Sequence, residues 1–346
     1  MLPALIIFCA TYLFLAGAEV PFLKLDRPGG AVAGAAAMVV FRVLTPEQVY
    51  RDAISWDTIV LLLGMMVLSS VMARAGIFRW VGWVALRRAH SPTSLLAAVV
   101  VVAGALSAFL VNDTICVMCT PIVVAMVEAA NLPPLPFLLA VAFASNAGSV
   151  ATLTGNPQNM LIGTLSKIPY AHFTAALALP AILSLACVHL VLRLAFREQL
   201  RERRRLDVDV PAPELHRGNA IACAGALVFV VAGFVLGYDL AWTALVGSAL
   251  LLVVTRGPPR EIFAQVDGVL LLFFAGLFVV THGVAQAGIA EQIVRGIEPV
   301  LGSDALQQTI RFGGFTVAAS QLVSNVPFVL LAGQWVPHFA DPHLGW

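Results

Sequence analysis

Charged residues are scarce in this sequence. Only 11% of its 346 residues are Asp, Glu, Lys or Arg, whereas 60% are hydrophobic and the mean hydropathy is +0.92. A soluble domain carries about 25% charged residues. The composition therefore excludes an ordinary soluble protein. It predicts an all-α polytopic membrane protein, because the long apolar runs suit helices better than the alternating segments of a membrane barrel.

Other features that the sequence lacks exclude further classes of protein. A net charge of +1 offers no field that would recruit nucleic acid. No P-loop, HExxH helix or GxSxG turn is present, so neither an enzyme nor an ATP-driven pump is expected. The five cysteines lie in apolar stretches and do not suggest a disulfide framework. The first apolar stretch lacks a basic start and a clear cleavage site, which predicts a retained span.

One polar stretch interrupts the uncharged run 135–165, and the other predictions are organised around it. It reads Thr154-Gly155-Asn156-Pro157-Gln158-Asn159. Glycine frees the backbone, and proline removes a donor and breaks the helical hydrogen bonds. In a bilayer such a break is tolerated only where it faces protein or a wet cavity. We therefore predict a helix interrupted at membrane depth to hold a polar ligand.

The predicted ligand site also includes Ser145 and Asn146, which precede the break on the same run. The positive N-terminal ends of broken helices suit an anionic or strongly polar substrate. From the break itself the predicted ligand-binding residues are Thr154, Gly155, Asn156, Pro157 and Asn159. The alternative is a structural proline kink in which the asparagine side chains only cap the broken ends.

A second polar group, Asn112-Asp113-Thr114, lies in the apolar run 93–130. This run is either two spans or one re-entrant hairpin with a polar tip. A carboxylate at the centre of a spanning helix costs about 2.5–3.5 kcal/mol, so Asp113 is predicted to carry a proton or to lie beside a sodium ion. Asn112 and Thr114 would offer oxygens to an ion or donors to an anion. The alternative is that the three residues only form a turn at the membrane interface.

The same run contains Cys116-Val-Met-Cys119. On a helix, residues three apart lie on one face, which would form a thiol pair for a soft ligand such as trivalent arsenic. The alternative interpretation is two small apolar residues that pack in a membrane helix.

An internal repeat is predicted from two segments that share one offset. Residues 61–77 align without gaps on residues 273–289, with identities that include Gly64 and Gly276, 212 residues apart. The same offset places residues 110–113 on residues 322–325, so Ser324, Asn325 and Pro327 are predicted to form a second hairpin tip. The predicted domains are a first repeat (1–205), a linker (206–218) and a second repeat (219–346) that is incomplete at its C-terminus.

Lysine and arginine predict the topology. The most basic loops, 74–90 and 193–217, are expected in the cytoplasm, which places the N-terminus outside. Arg79, Trp80, Trp83 and the two arginines that follow suit a helix in the membrane interface. The first repeat then crosses an odd number of times, so the second repeat is inverted relative to it.

Together these motifs resemble the ion-transporter superfamily of arsenite pumps, sodium/proton antiporters and citrate or dicarboxylate carriers. The three groups at 112–114, 154–159 and 324–327 follow the order found in that superfamily. The resemblance implies inverted repeats, each with a re-entrant hairpin and an unwound helix, around one substrate site. It also implies a homodimer, no cofactor or metal beyond a coupling sodium ion or proton, and a second unwound helix that this sequence does not contain.

The expected function is a secondary active transporter of a small anion or oxyacid in the inner (cell) membrane. Citrate, dicarboxylates and arsenite are all open as substrates, and a sodium or proton gradient would drive alternating access. The alternatives are a sodium/proton antiporter and a truncated, non-transporting membrane module that needs a partner chain.

Overall fold

The computed structural model describes residues 1–16, 25–201, 211–289, 304–323 and 325–339, together with positions 292, 296, 301, 302 and 341. These residues form α-helices and connecting turns, together with a π-helical segment at Val49–Ala53 and a short 3-10 helix at Val336–His338. In chain order the helices are α1 (Leu2–Leu15), α2 (Arg27–Val40), α3 (Pro46–Gln48), α4 (Trp56–Arg74), α5 (Ile77–Arg88), α6 (Pro92–Phe109), α7 (Asn112–Ala129), α8 (Leu135–Ser149), α9 (Pro157–Ser166), α10 (Tyr170–Ala195), α11 (Arg217–Val235), α12 (Leu240–Thr255), α13 (Pro259–Phe263), α14 (Gly268–Gln286), α15 (Ala305–Val323) and α16 (Asn325–Ala332).

The predicted all-α membrane architecture is confirmed for this part of the chain. Six of the described helices are long and apolar enough to cross a membrane, namely α4, α6, α7, α10, α11 and α14. Three more, α1, α8 and α12, are apolar but shorter. Many large apolar side chains, such as Leu183 and Leu190 on α10, are more than half exposed, as expected of residues that face lipid.

Local sequence signals explain where several helices begin. The carboxylate of Asp26 accepts a hydrogen bond from the amide of Gly29 (2.8 Å) at the start of α2. Asp239 accepts one from the amide of Trp242 (2.8 Å) at the start of α12. Ser91 and Ser94 form a reciprocal capping box at the start of α6. Each cap satisfies a backbone donor that the first turn of a helix leaves without a partner.

The described residues divide into two compact units. One unit comprises residues 1–59, 164–167 and 267–346, and the other comprises residues 60–163 and 168–266. The first unit has a core in which α1, α2 and α14 meet, with Ile7, Met38 and Val280 buried together. The second unit contains most of α4 and the whole of α5 to α8 and α10 to α13. Its fully buried side chains include Leu95, Phe137 and Phe234.

Two features recur at, or within one residue of, the 212-residue offset of the predicted repeat. The helices α4 and α14 each have 19 residues and begin 212 positions apart. The capping residues Asp26 and Asp239 are 213 positions apart. The two compact units do not coincide with the predicted repeats, since α11 and α12 group with helices of the first half. The domain boundaries and the inverted relation between the repeats stay predictions.

The matched glycines of α4 and α14 make matched contacts, one within each unit. A Cβ on Gly64 would lie 2.8 Å from the carbonyl carbon of Ala244 in α12. A Cβ on Gly276 would lie 2.8 Å from the carbonyl carbon of Ala31 in α2. Both positions therefore need glycine, because the neighbouring atoms belong to backbone that cannot move aside. Small residues permit this close approach of helices in membranes.

We expect Gly64→Leu and Gly276→Leu each to destabilise the protein by about 1–3 kcal/mol, which is typical of overpacking. The measurement is the thermal unfolding midpoint of the purified, detergent-solubilised chain. Gly225→Leu on α11 is the matched control, since a Cβ there meets no atom within 4 Å. An unchanged midpoint for Gly64→Leu would contradict the close packing of α4 on α12.

Candidate functional site

The predicted helix break is present. The helix α8 ends at Ser149, and α9 begins at Pro157, so residues 150–156 form an irregular connection between two apolar helices. Gly155 lies so close to the end of α8 that a Cβ on it would overlap the carbonyl group of Ser149. Only glycine allows this approach of the connection to the helix it has just left.

The side chain of Asn159 holds this connection in place. Its Nδ2 lies 2.8 Å from the carbonyl oxygen of Thr152, 3.2 Å from that of Ser149 and 3.4 Å from that of Val150. The residue is only 8% exposed. Carbonyls at the end of a helix lack intrahelical partners, and inside an apolar protein such groups must find donors. One amide therefore satisfies backbone groups that the break would otherwise leave without hydrogen bonds.

Asn156 plays the complementary part at the start of α9. Its Oδ1 accepts a hydrogen bond from the backbone amide of Asn159 (2.7 Å), and its Nδ2 donates to Oγ of Ser149 (3.0 Å). The alternative that asparagines cap the broken ends thus describes Asn156 and Asn159 well. Direct contact of either side chain with a ligand stays a prediction.

The tip at Asn112 meets the break. The backbone amide of Asn112 donates to the carbonyl oxygen of Gly155 (2.9 Å), and its Nδ2 donates to Oδ1 of Asn146 (3.1 Å). Oγ1 of Thr152 also donates to the carbonyl of Ala108, near the end of α6. The structure therefore brings the tip together with the end of α8 and the irregular connection that follows it, although Asn112 and Asn146 are 34 residues apart in sequence.

The polar residues of the tip have different environments. Asn112 is 6% exposed, and its Oδ1 is buried without a hydrogen-bond partner in the described structure. Asp113 is exposed and lies in the first turn of α7, and Thr114 beside it is half-buried. A buried acceptor without a partner costs about 1–3 kcal/mol, so it calls for an explanation. A bound donor or cation would satisfy the Asn112 oxygen.

The helices α6 and α7 leave the choice between two spans and a hairpin open. Each has 18 residues, and only Leu110 and Val111 connect them. Both are long enough to cross a membrane.

Ser145 is fully buried between the tip and the break. Its Oγ lies 2.8 Å from Sγ of Cys116, and its carbonyl oxygen accepts from Oγ of Ser107 (2.7 Å). The thiol of Cys116 is half-buried and contacts a serine of the site. The side chain of Cys119 is buried. Thr154 lies on the far side of the connection, where its Oγ1 is 3.5 Å from the hydroxyl of Tyr170.

The sequence analysis missed three buried polar residues that build this site: Ser107, Ser149 and Thr152. Each donates a side-chain hydrogen bond to a backbone carbonyl of the site. The spacing of Ser145 and Ser149, four apart on a helix, was a usable signal, since it places both on one face. Ser107 had no such signal, because a single serine in an apolar run is common.

The second predicted tip lies in the other compact unit. Asn325 begins α16, and the buried Pro327 accepts a hydrogen bond at its carbonyl from the hydroxyl of Tyr12 (2.9 Å). Ser324 lies outside the described residues. Among the described residues no group of three His, Cys, Asp or Glu side chains is arranged to hold a metal ion.

A broken helix among apolar spans, with buried uncharged polar groups at the break, is the architecture of a membrane transporter. A model of the CitMHS family, described as citrate transporter, matches residues 4–345. The chain therefore belongs to this citrate transporter family.

Several curated relatives are transporters by name. An uncharacterised transporter of Mycobacterium tuberculosis is 30% identical over 339 residues, which are 94% of this chain and 78% of the relative. A silicon efflux transporter of rice, Oryza sativa subsp. japonica, is 28% identical and aligns with 92% of this chain and 78% of its own. A putative transporter of Dictyostelium discoideum named arsB is 33% identical over 57% of this chain and 35% of its own.

Among solved structures, the YdaH transporter of Alcanivorax borkumensis has a similar fold. The TM-score is 0.52 at 18% sequence identity, and the match covers 96% of this chain and 85% of the other. At this identity the likeness concerns the fold alone.

We expect Asn159→Asp to destabilise the chain by about 1–3 kcal/mol, because a carboxylate of the same shape cannot donate to the carbonyls at the end of α8. The thermal unfolding midpoint measures the effect. The neighbouring Gln158→Glu is the matched control, since Gln158 is half-buried and makes the same change of amide to carboxylate. Equal midpoints for the two variants would contradict the capping role of Asn159.

Proposed function

We propose that this protein is a secondary active transporter that moves a small anion or oxyacid by alternating access. The observation that supports the proposal is the junction of tip and break. There the backbone amide of Asn112 donates to the carbonyl of Gly155, while the buried Oδ1 of the same residue has no partner among the residues that the structure describes. A polar junction in an apolar surrounding is maintained where a ligand completes its hydrogen bonds.

The two helix starts at this junction support an anionic substrate. The helix α7 begins at Asn112 and α9 begins at Pro157, on either side of the hydrogen bond between tip and break. The N-terminus of a helix carries partial positive charge and free amide donors. A carboxylate or oxyanion is the group that such ends stabilise, and citrate or a dicarboxylate is therefore the first candidate.

A coupling cation would compensate the charge of such a substrate. Apart from Asp113, the runs 93–127 and 135–166 contain no charged residue. A multiply charged anion therefore meets no basic side chain from these runs. Co-transported sodium ions or protons would supply the missing positive charge, with Asp113 and the Asn112 oxygen as the groups that receive them.

A neutral oxyacid is the second candidate substrate, and the uncharged character of these two runs supports it. Arsenous and silicic acids are undissociated at neutral pH and need hydroxyl and amide partners but no cationic side chain. Relatives of this chain carry the names silicon efflux transporter and arsB. The thiol of Cys116, beside Ser145, adds a soft ligand suited to trivalent arsenic.

The proposed location is the inner (cell) membrane, with the N-terminus outside and the loops 74–90 and 193–217 in the cytoplasm. Two contacts support a common side for these loops. Oγ1 of Thr93 lies 3.5 Å from the carbonyl oxygen of Leu200, and the amide of His216 donates to the carbonyl of Ala75 (3.3 Å). Both loops are rich in arginine, as cytoplasmic loops are.

The test of the transport proposal is uptake into proteoliposomes that contain the purified full chain. Citrate, succinate, arsenite and silicic acid are each offered with a sodium gradient, with a proton gradient and with neither. We expect one substrate to accumulate only under one of the gradients. Asp113→Asn should abolish this accumulation, because it removes the only carboxylate of the two runs, while the yield of folded protein stays normal.

Asp57→Asn is the matched control, since Asp57 is also exposed in the first turn of its helix. It should leave accumulation intact. Flux that does not saturate and ignores both gradients would replace the proposal with a channel. Full accumulation in Asp113→Asn would contradict the role of the tip.

The orientation is tested by fusing a reporter after Arg205, in the basic loop that follows α10. Alkaline phosphatase should be inactive there and green fluorescent protein should fluoresce, because the loop is expected in the cytoplasm. The same two reporters fused to the N-terminus should give the opposite result, because the N-terminus is expected outside. Phosphatase activity after Arg205 would invert the proposed topology.

A further inference from the structure

The second compact unit contains an apolar groove that the transport proposal does not use. It has a volume of about 440 Å³, in the range of ligand pockets. The helices α5 and α7 line most of it, and Pro211 and Pro213 line one side. The apolar side chains that line it include Phe78, Trp83, Leu86, Met118 and Ile122. Arg79 is the only charged residue among the described residues that line it.

The groove belongs to the basic end of this unit. The helix α5 buries Phe78, Gly82, Ala85 and Leu86 and exposes Arg79, Trp80, Arg87 and Arg88. The guanidinium of Arg87 lies 4.9 Å from the centre of the Trp83 ring, which itself lines the groove. Such a helix, with arginines on one face and aromatic residues at its side, suits the boundary between headgroups and acyl chains.

One wall of the groove is α7, the helix that begins at the polar tip. Pro121 interrupts the hydrogen bonds of α7 and lines the groove, nine residues after Asn112. The helix α5 packs closely on the same part of α7, since a Cβ on Gly82 would lie 2.7 Å from Cγ2 of Ile122. A molecule in the groove therefore contacts α7 directly and supports it opposite its proline.

From these observations we propose that the groove binds one anionic phospholipid, with an acyl chain along α7 and the net negative charge of the headgroup at Arg79. The apolar walls match an acyl chain, and the arginines at the rim match a negatively charged headgroup. Because the groove is separate from the junction of tip and break, this proposal does not depend on which substrate is carried. The phospholipid holds α7 in place and thereby supports the tip.

The test is a binding titration of the delipidated full chain in a neutral detergent, followed by native mass spectrometry. Phosphatidylglycerol and phosphatidylcholine with the same acyl chains are compared, because the first headgroup is anionic and the second has no net charge. The wild type should bind the anionic lipid more tightly. Arg79→Gln should weaken the binding of phosphatidylglycerol by about fivefold, as expected for one basic group lost at an anionic site, and leave phosphatidylcholine unaffected.

Two further substitutions test the position of the acyl chain. Ala125 lines the groove with an exposed side chain, so Ala125→Trp should fill it and weaken the binding of both lipids. Val117→Trp places the same side chain on an exposed position of α7 outside the groove and should change neither. Arg197→Gln removes an exposed arginine that does not line the groove and is the control for Arg79→Gln.

In Arg79→Gln we expect a reduced preference for the anionic lipid. In Ala125→Trp, but not in Val117→Trp, we expect weaker binding of both lipids. Equal binding of the two lipids by the wild type would overturn the proposal. So would an Arg197→Gln variant that loses as much affinity as Arg79→Gln, because the lipid would then respond to the general positive charge of this end.

Discussion

The structure depends most on the hydrogen bonds that a single amide makes at the end of α8. A helix broken inside an apolar protein leaves carbonyls without donors, and water is not there to replace them. Nδ2 in the side chain of Asn159 reaches three of these carbonyls. The backbone N–H of Asn159 in turn donates to Oδ1 of Asn156. Because the break is stable, the connection can approach α6 and α7, and the tip at Asn112 can bond to Gly155.

In this arrangement, the asparagines of the break and the residues of the tip have different hydrogen-bond partners. The side chain of Asn156 bonds to the backbone amide of Asn159 and to Oγ of Ser149, and that of Asn159 bonds to backbone carbonyls, whereas Oδ1 of Asn112 is buried without a partner among the described residues. Asp113 supplies the charge of the two runs from which the site is made. In the proposed transport, a substrate would meet hydroxyls, amides and helix ends, whose partial charges need no counter-ion when the site is empty.

Much of the fold could be predicted from the sequence, because apolar length and charged loops determine where spans begin and end. The break predicted within the run 135–165 is present before Pro157, where the missing backbone donor requires it. The contacts of the site were harder to predict. A serine such as Ser107 is common in a membrane helix, and only the packing of α6 on α8 turns its hydroxyl toward Ser145.

The capping role of the asparagines illustrates the same limit. The sequence showed that the amides stand close to a proline, and both a ligand site and a capped kink remained compatible with that pattern. The choice depends on whether the carbonyls of residues 149–152 lie within reach of Asn159, which is a property of the folded connection.

The matched contacts of Gly64 and Gly276 also affect how the chain is made. The backbone on which α4 packs belongs to α12, and the backbone on which α14 packs belongs to α2. Each compact unit therefore contains helices from both halves of the chain, and these close contacts form only after α12 and α14 have been synthesised. The partner of α4 is synthesised nearly two hundred residues after it, and the partner of α2 about 240 residues after it. Both α2 and α4 therefore enter the membrane before the helices on which they pack exist.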